Sequence, residues 1–345
     1  MRNILYKLMA LTLLGGSIAT AWLWMDVSNY LDTPLPLEAP QSYELQHGSN
    51  YIRVVNELTA AGMITRPRYL RWYGRLSGAA RRIKAGEYLI SPGTTPRQLV
   101  KLLTSGKVRQ YALTIVEGWT FRQMMQAVNA EAALKHSLKD LDDNAIMQRL
   151  GHPGEHPEGR FLPDTYHFPK GLSDIAFLRR AYDAMQVYLQ QEWEQRAVGL
   201  PYKTPYEALI MASIVEKETG LASERRAIAG VFIRRLQKRM RLQTDPTVIY
   251  GMGKQYKGNI RKRDLQRDTP YNTYRHFGLP PTPIALPGRN AIYASLHPDE
   301  SRNIYFVARG DGSHHFSATL KEHNEAVIRY QLKGRRRPFS SYNPK

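Results

Sequence analysis

Two carboxylates stand close together near the end of an apolar stretch, TPYEALIMASIVEKETG, at residues 204–220. Thr204 is a typical helix cap and Glu207 completes a capping box with it, so the spacing predicts a helix that begins here. Its Ala, Leu, Ile, Met and Val residues leave no polar face, which indicates a buried helix. The helix therefore delivers Glu216 and Glu218 at its C-terminal end.

A carboxyl group in this position is suited to proton transfer. The C-terminal end of a helix dipole and an apolar surround both disfavour negative charge, so both raise a carboxyl pKa. A raised pKa is what a general acid needs near neutral pH. The alternative interpretation is that both glutamates are ordinary solvated residues at a frayed helix end.

The helical repeat separates the two glutamates. They lie about 200° apart around the helix, on opposite faces. Glu218 shares its face with Met211, Ile214 and Val215, whereas fewer large apolar side chains flank Glu216. We therefore predict that Glu218 is the residue that carries the proton.

Two later segments place polar and aromatic side chains downstream of this helix. RLQTDPTVIYG occupies 241–251, and YNTYRHFGLPPTPIALPG occupies 271–288. Amide, hydroxyl and aromatic groups around a groove stack on sugars and hydrogen-bond to their hydroxyl and acetamide groups. Each such residue alone is more often structural, but their concentration on loops favours a sugar-binding site.

A further segment, HPGEHPEGRFLPDTYHFPKG at 152–171, is too rich in Pro and Gly to form a regular helix or strand. Long irregular segments inside compact domains tend to be functional. His152 and His156 lie near Glu155 and Glu158, but their spacing matches no standard metal site. We therefore predict neither a metal nor a cofactor.

Charge and cysteine content limit the class of protein. The chain has 345 residues, 49 Lys and Arg against 30 Asp and Glu, and a net charge of +19. This excess favours a polyanionic environment, but the sequence contains no nucleic-acid-binding motif. The chain has no cysteine, which excludes disulfides and thiolate metal sites and fits a reducing compartment or a periplasmic protein.

The N-terminus predicts a membrane anchor at 1–26. Residues 8–25, LMALTLLGGSIATAWLWM, carry no charge and, with the apolar residues before them, are long enough to span a bilayer. Arg2 and Lys7 precede the span, so the N-terminus should remain cytoplasmic and the rest should be exported. The alternative is a cleaved signal peptide with Ala19-Thr20-Ala21 as its cleavage site. The apolar run continues past that site, which favours the uncleaved anchor.

The remaining chain predicts an α+β protein in several parts. We expect an extended tether at 27–41, a small α+β domain at 42–108, a larger mixed α+β domain at 109–334 and a basic tail at 335–345. Periodicity predicts strands at 43–45, 86–90, 111–116 and 303–308. It predicts helices at 50–61, 67–76, 95–105, 121–130, 174–196, 224–240 and 320–332, with two short helices within 134–150.

The predicted helix at 224–240 is basic and amphipathic. Ser223 is its expected cap, and its arginines are expected to point mostly outward into solvent. Contact with an anionic partner is the alternative interpretation of this charge.

Taken together, these motifs resemble the MltG/YceG-like endolytic murein transglycosylases of bacteria. The resemblance covers nearly the whole chain, as a membrane anchor, a LysM-like domain and a YceG-like catalytic domain. It rests on segments in family order: EGRFLPDTY at 158–166, ASIVEKET at 212–219, RLQTDPTVIYG at 241–251, YNTY at 271–274, GLPPTPIA at 278–285, His314/Phe316 and His323-Asn324. The LysM-like region shows no clear sugar-contact residues.

The resemblance implies particular site residues. It places the catalytic glutamate at Glu218, the same residue that the helical wheel selects. It also implies a substrate site lined by two stretches, with the residues Gln243, Thr244, Asp245, Asn272 and Tyr274.

The implied reaction is non-hydrolytic cleavage of nascent peptidoglycan strands, which ends strand elongation. Glu218 would protonate the MurNAc-GlcNAc glycosidic oxygen and then accept the proton of the C6 hydroxyl, leaving a 1,6-anhydro-MurNAc end. The implied location is the bacterial inner membrane, crossed once, with the catalytic domain in the periplasm. The implied partners are glycan strands, the membrane, and peptidoglycan synthases or division and elongation proteins.

Three alternatives remain open at this stage. A hydrolase could use Glu218 with Asp245 as a second carboxylate. A non-catalytic, membrane-tethered protein could bind glycan or another anionic polymer through its positive charge. Nucleic acid, which we do not predict as a partner, would require the catalytic region to be cytoplasmic.

Overall fold

The computed structural model describes residues 2–335 and has a mixed α+β architecture that is mostly helical. Within that range the helices are α1 (Arg2–Asp32), α2 (Tyr51–Ala60), α3 (Pro67–Leu76), α4 (Pro96–Ser105), α5 (Phe121–Ala130), α6 (Asp143–Leu150), α7 (Asp174–Glu194), α8 (Pro205–Glu218), α9 (Arg225–Gln237), α10 (Asp245–Met252), α11 (Lys262–Gln266), α12 (Arg289–Leu296) and α13 (Leu320–Tyr330). The strands are β1 (Gln41–Leu45), β2 (Gly86–Ile90), β3 (Gln110–Thr114), β4 (Thr165–Pro169), β5 (Tyr305–Ala308) and β6 (His314–Ser317). They pair as β1-β2, β3-β4 and β5-β6. Apart from Arg335, the predicted basic tail at 335–345 lies outside the described residues.

The chain forms two compact units. The first contains the chain as far as Tyr111 together with Phe168–Gly171, and the second contains Ala112–His167 and the chain from Leu172 onward.

In the first unit, α1 is longer than the predicted anchor. In the described part of the chain it is the one helix long and apolar enough to cross a membrane, by length and composition. It continues to Asp32, so the prediction of an extended tether at 27–41 is wrong for the first residues of that range. Leu31 and Leu35, which follow the apolar part of α1, are buried in the core of this unit. Their burial is favourable because it removes apolar surface from water.

The core of the first unit lies between a sheet and three helices. Strands β1 and β2 are antiparallel, with Tyr43 opposite Tyr88. Helices α2, α3 and α4 supply buried residues such as Leu58, Leu70 and Leu99 to the same core. The predicted strands and helices between residues 43 and 105 are confirmed to within two residues, since their caps and periodicity are strong.

The second unit is built around α8. Residues 208–215 of this helix are all buried, and α8 packs against α7, α9, α10 and α12. The prediction of a buried helix is therefore confirmed for these residues. Ser213 of α8 also accepts a hydrogen bond from the Ile284 N–H at 2.9 Å, which fixes the loop that precedes α12.

The start of α8 differs in one detail from the predicted capping box. Thr204 caps the helix by accepting a hydrogen bond from the Glu207 N–H at 3.3 Å. The Glu207 carboxylate, however, accepts from the Lys203 N–H at 2.6 Å rather than from the Thr204 N–H. The hydrogen bond to the Glu207 side chain is therefore donated by the residue before the cap and not by the cap itself.

Several other predictions for the second unit are wrong in detail. The range 134–150 contains one helix, α6, rather than two, and β4 lies inside the segment 152–171 that was expected to be irregular. Ser223 does not cap α9: its N-cap is Glu224, which makes no capping hydrogen bond through its side chain. Helices α10, α11 and α12 have at most eight residues, too few for a clear apolar period, and were not predicted.

Strand β5 and helix α13 agree with the predicted strand and helix, whereas β6 was not predicted. Strands β5 and β6 are antiparallel, with Phe306 opposite Phe316, and the Gly310–Gly312 turn joins them. Helix α13 begins after Thr319, which forms a capping box with Glu322. Val307, Ala326 and Val327 form a small apolar cluster between this hairpin and α13.

Candidate active site

Glu218 is the last residue of α8, the buried helix of the second unit. The chain turns extended at Thr219, so the Glu218 side chain leaves the helix where apolar packing ends. The Thr219 hydroxyl accepts a hydrogen bond from the Leu221 N–H at 3.0 Å, which fixes the chain just after the carboxylate. The helix thus holds Glu218 half-buried on a rigid support.

The pKa of the Glu218 carboxyl is raised to about 7, mainly by burial, and the nearby Asp245 carboxylate acts in the same direction. The Thr244 hydroxyl donates a hydrogen bond to Glu218 Oε2 at 2.9 Å and lowers this pKa, as do the neighbouring His314 and Arg235 side chains. Burial is the largest of these effects. Glu218 can therefore hold and release a proton near neutral pH.

The QTD stretch lies directly beside Glu218. Thr244 is buried, and its N–H donates to the Thr273 hydroxyl at 3.1 Å. Gln243 has a positive φ of 53°, which is uncommon for a residue with a Cβ, and its side chain is exposed. Asp245 opens α10. This turn brings the Thr244 hydroxyl to the carboxylate and leaves the Gln243 amide in solvent.

The YNTY stretch supports the QTD turn from the other side. The Tyr274 hydroxyl donates to Asp245 Oδ1 at 2.6 Å, and burial raises the pKa of Tyr274 well above its usual value. Asn272 is 1 % exposed, and its amide donates to the Leu265 and Arg267 carbonyls at 3.0 and 2.7 Å. Its Oδ1 accepts from the Tyr274 N–H at 3.0 Å.

The predicted substrate residues therefore differ in what they can do. Thr244 contacts Glu218 itself, and Asp245 and Tyr274 form a pair close enough to influence it. Gln243 is free to meet a ligand from solvent. The Asn272 amide donates its hydrogen bonds to carbonyls of its own loop. Asn272 is therefore better placed to position Tyr274 than to contact a substrate.

Glu216 lies on the other side of α8 and makes different contacts. Its Oε2 accepts from the Gly288 N–H at 3.0 Å, and its Oε1 lies 3.4 Å from Arg225 Nη2. Burial raises the pKa of Glu216, while Gly288 and Arg225 lower it. Arg225 also lies 3.7 Å from Glu117. Glu216 is thus a structural partner of the arginine-rich helix α9.

Two arginines of α9 are buried, contrary to the expectation of an outward-facing charge. Arg225 and Arg235 are each 8 % exposed. Arg235 donates to the Ile304 and Leu242 carbonyls at 2.8 and 2.7 Å, and its guanidinium lies over the Tyr305 ring at 5.4 Å. Backbone carbonyls and an aromatic face replace the water that Arg235 loses, and carboxylates do so for Arg225.

Sequence reasoning missed a further carboxyl with a raised pKa, in addition to Glu218 and Glu216. Glu158 is 3 % exposed, and burial raises its pKa to about 7. The Phe121 N–H and the Tyr250 hydroxyl donate to it at 2.8 and 3.0 Å. Its position at the start of EGRFLPDTY, three residues before Phe161 and four before Leu162, was the signal that could have identified it.

Glu158 lines a cavity of about 570 Å³. Its wall combines cationic, polar and aromatic side chains, including Arg122, Gln123, Lys254 and Tyr256. Because both oxygens of Glu158 already accept hydrogen bonds, the carboxyl is better placed to connect α5 and α10 than to act on a ligand.

Comparisons with known proteins agree on one family. The model of the YceG-like family matches residues 43–329. A Bacillus subtilis protein named endolytic murein transglycosylase is 33 % identical over 305 residues, which is 82 % of each chain. A Streptococcus pneumoniae protein of the same name is 27 % identical over 335 residues, covering 87 % of this chain and 61 % of its own length.

A solved structure shows the same fold. The crystal structure of a yceG-like protein from Listeria monocytogenes is 30 % identical in sequence and superposes with a TM-score of 0.54. The match covers 84 % of this chain and 99 % of that one.

Proposed function

Because the chain belongs to the YceG-like family, we propose that it is a membrane-anchored endolytic lytic transglycosylase acting on peptidoglycan. It cleaves the MurNAc-GlcNAc bond of nascent glycan strands without water, leaves 1,6-anhydro-MurNAc ends and so stops strand elongation. The observation that carries this proposal is one half-buried carboxyl, Glu218, with a pKa of about 7 at the end of a rigid helix.

In the first step, protonated Glu218 gives its proton to the glycosidic oxygen. The bond between C1 of MurNAc and this oxygen breaks, its electron pair stays on the oxygen, and GlcNAc leaves with a free hydroxyl. Positive charge develops at C1. Glu218 is now a carboxylate, and the Thr244 hydroxyl at 2.9 Å stabilises it in this state.

In the second step, the C6 hydroxyl of the same MurNAc attacks C1. Its proton passes to the Glu218 carboxylate, which restores the starting acid, and the 1,6-anhydro ring closes. No water is consumed, and atoms and charge balance. One carboxyl is sufficient because the nucleophile belongs to the substrate, and its intramolecular position supplies the proximity advantage.

A hydrolase is the second candidate, and one observation favours it. Asp245 lies close enough to Glu218 to raise its pKa. A second carboxylate that activates water would give a reducing end instead of an anhydro end. The Tyr274 hydroxyl, which donates to Asp245 Oδ1 at 2.6 Å, competes with water for that carboxylate.

The remaining parts of the proposal concern the setting of the reaction. We propose an anchor at 1–26, a LysM-like domain at 42–108 and a YceG-like catalytic domain at 109–334. The catalytic domain lies in the periplasm and the N-terminus in the cytoplasm. Peptidoglycan synthases or division and elongation proteins are the proposed protein partners.

Mass spectrometry of products from uncrosslinked glycan strands tests the reaction. Wild-type protein should give ends lighter by one water than hydrolysis products, and Glu218→Gln should lower their rate by at least about 10²-fold. Glu216→Gln is the matched control on the same helix and should keep most of the activity. Wild-type activity in Glu218→Gln would sink the assignment, and reducing ends from the wild type would favour the hydrolase.

A further inference from the structure

Helix α3 of the first unit exposes one continuous face. Arg68, Trp72, Arg75 and Leu76 are all exposed and follow the spacing i, i+4, i+7, i+8, which places them on one side of the helix. We call these four residues the α3 face. Trp72 is 48 % and Leu76 is 87 % exposed, whereas Leu70, on the side toward the core, is 1 % exposed.

The chain around α3 is strongly basic. Residues 58–86 contain six Arg and one Lys and no Asp or Glu. In the described part of the chain, Arg66 is the member of this group that forms an ion pair with a carboxylate. Arg68 and Arg75 are exposed and form no ion pair with the described residues, so they are available to an anionic partner.

Three interactions fix α3 beside the end of the apolar part of α1. Arg66 Nη1 donates to Asp26 Oδ1 and Oδ2, each at 2.9 Å, and the Tyr69 hydroxyl donates to Asp26 Oδ2 at 2.7 Å. The rings of Tyr30 and Tyr69 meet edge to face at 5.8 Å. Asp26 directly follows the uncharged residues 8–25. The α3 face is therefore held close to the C-terminal end of the apolar part of α1.

We infer that the α3 face binds the surface of a bilayer that contains anionic phospholipids. Trp72 and Leu76 enter the boundary between headgroups and acyl chains, to a depth of about 5–10 Å, as in other interfacial helices. Arg68 and Arg75 pair with lipid phosphates at the same level. Tyr69 stacks against Trp72 at 6.0 Å and supports the indole.

Lipid suits this face better than a soluble polyanion. A polyanion would pair with the arginines but would leave the nearly fully exposed Leu76 in water. An anionic bilayer removes apolar surface from water and neutralises charge together. The neighbouring span already brings α3 within reach of such a surface, so no further segment is needed to deliver it.

Site-directed spin labelling tests the inference, because the chain has no cysteine to remove. Full-length protein carrying Leu76→Cys is labelled and reconstituted in vesicles of phosphatidylethanolamine and phosphatidylglycerol. We expect the label to be several-fold less accessible to a water-soluble nickel reagent than a label at Leu89→Cys. Leu89 is a matched control, since it is an exposed leucine on the β1-β2 sheet of the same unit.

Further variants separate the possible outcomes. Reversing both charges in Arg68→Glu/Arg75→Glu should restore access at position 76, and vesicles of phosphatidylcholine alone should protect it less. A label at Leu13→Cys reports whether α1 itself is in the bilayer, so loss of the anchor is distinguishable. Equal access at positions 76 and 89 would overturn the inference, as would protection that needs added envelope proteins or equals that in phosphatidylcholine.

Discussion

At the scale of single residues, Glu218 depends on a balance between burial and hydrogen bonding. Burial favours the protonated form, and the Thr244 hydroxyl favours the carboxylate. The resulting pKa of about 7 keeps both forms populated near neutral pH. A residue that must first give and then take a proton is most effective in that range.

Replacing Thr244 should move this balance. Thr244→Val keeps the shape but removes the hydroxyl that stabilises the carboxylate, so the pKa of Glu218 should rise. The alkaline limb of kcat/KM, where the acid form is lost, should move to higher pH by about one unit or less.

A neighbouring threonine provides the control for this shift. Thr247 donates to the Thr244 carbonyl at 2.8 Å and its hydroxyl has no hydrogen bond to Glu218. Thr247→Val should lower the stability of the protein and leave the alkaline limb of kcat/KM at the same pH. An unchanged limb in Thr244→Val would contradict the role given to its hydroxyl.

Glu158 should make stability depend on pH. Its pKa is raised to about 7, so the folded protein keeps a proton that the unfolded chain loses as the pH rises from 4.5. This contribution is complete below about pH 4.5 and is lost as the pH rises through about 7, a fall of about 2–3 kcal/mol in the free energy of unfolding. Glu218 acts in the same direction.

Glu158→Gln should remove the Glu158 part of that fall, because the amide cannot ionise. Urea unfolding in detergent at about pH 5 and about pH 8 measures the difference for wild type and variant. Glu218→Gln serves as the parallel case, and the double variant should lose both contributions to the fall. If the free energy of unfolding of Glu158→Gln differs between these two pH values as much as that of the wild type, the role assigned to Glu158 is disproved.

At the scale of elements, α8 and α9 are joined through a buried ion pair. The Glu216 and Arg225 side chains are 6 % and 9 % exposed. Removing either partner leaves the other charge poorly compensated in a site with little water. Arg225 has Glu117 as a second anionic partner at 3.7 Å, so the two single variants should not be equivalent.

A double-mutant cycle tests this junction. Arg225→Met should destabilise the protein by about 3 kcal/mol, because it leaves two carboxylates without their cation, and Glu216→Gln should cost less. The double variant should be more stable than the sum of the single effects predicts, by about 1 kcal/mol or more. Denaturant unfolding measures all three, and additive effects would show that the pair is not coupled.

Element type followed from the sequence wherever a cap and a full period were present. The wholly apolar run of α8 and the period of α4 were sufficient to place those helices. The short helices α10 and α12 were missed because eight residues give only two turns. Ser223 does not cap α9 because it lies inside a short 3-10 turn, Ala222–Glu224, that precedes the helix.

The candidate site was predictable only in part. Helical geometry predicted that Glu218 and Glu216 have different surroundings, because the helix fixes the angle between them. Two other features depend on contacts with other segments of the chain. These are the carbonyls to which the Asn272 amide donates and the inward orientation of Arg235. Glu158 was missed for the same reason, since its donors come from α5 and α10.

At the scale of the whole molecule, charge at the N-terminus should decide the orientation. Arg2 and Lys7 precede the apolar segment, so the positive-inside rule places them in the cytoplasm. A C-terminal alkaline phosphatase fusion should therefore be active. A C-terminal green fluorescent protein that matures and fluoresces in the cytoplasm would contradict this orientation and, with it, the proposed substrate.

Helix α1 passes without a break from its apolar segment into the core of the first unit, where Leu31 is buried. The seven residues 26–32 rise only about 10 Å as a helix. If residues 8–25 cross the membrane as proposed, this short helical connection keeps the first unit close to the lipid surface, whereas a flexible linker would let it move away. We therefore expect the proposed enzyme to meet glycan strands that lie beside the membrane, at high effective concentration.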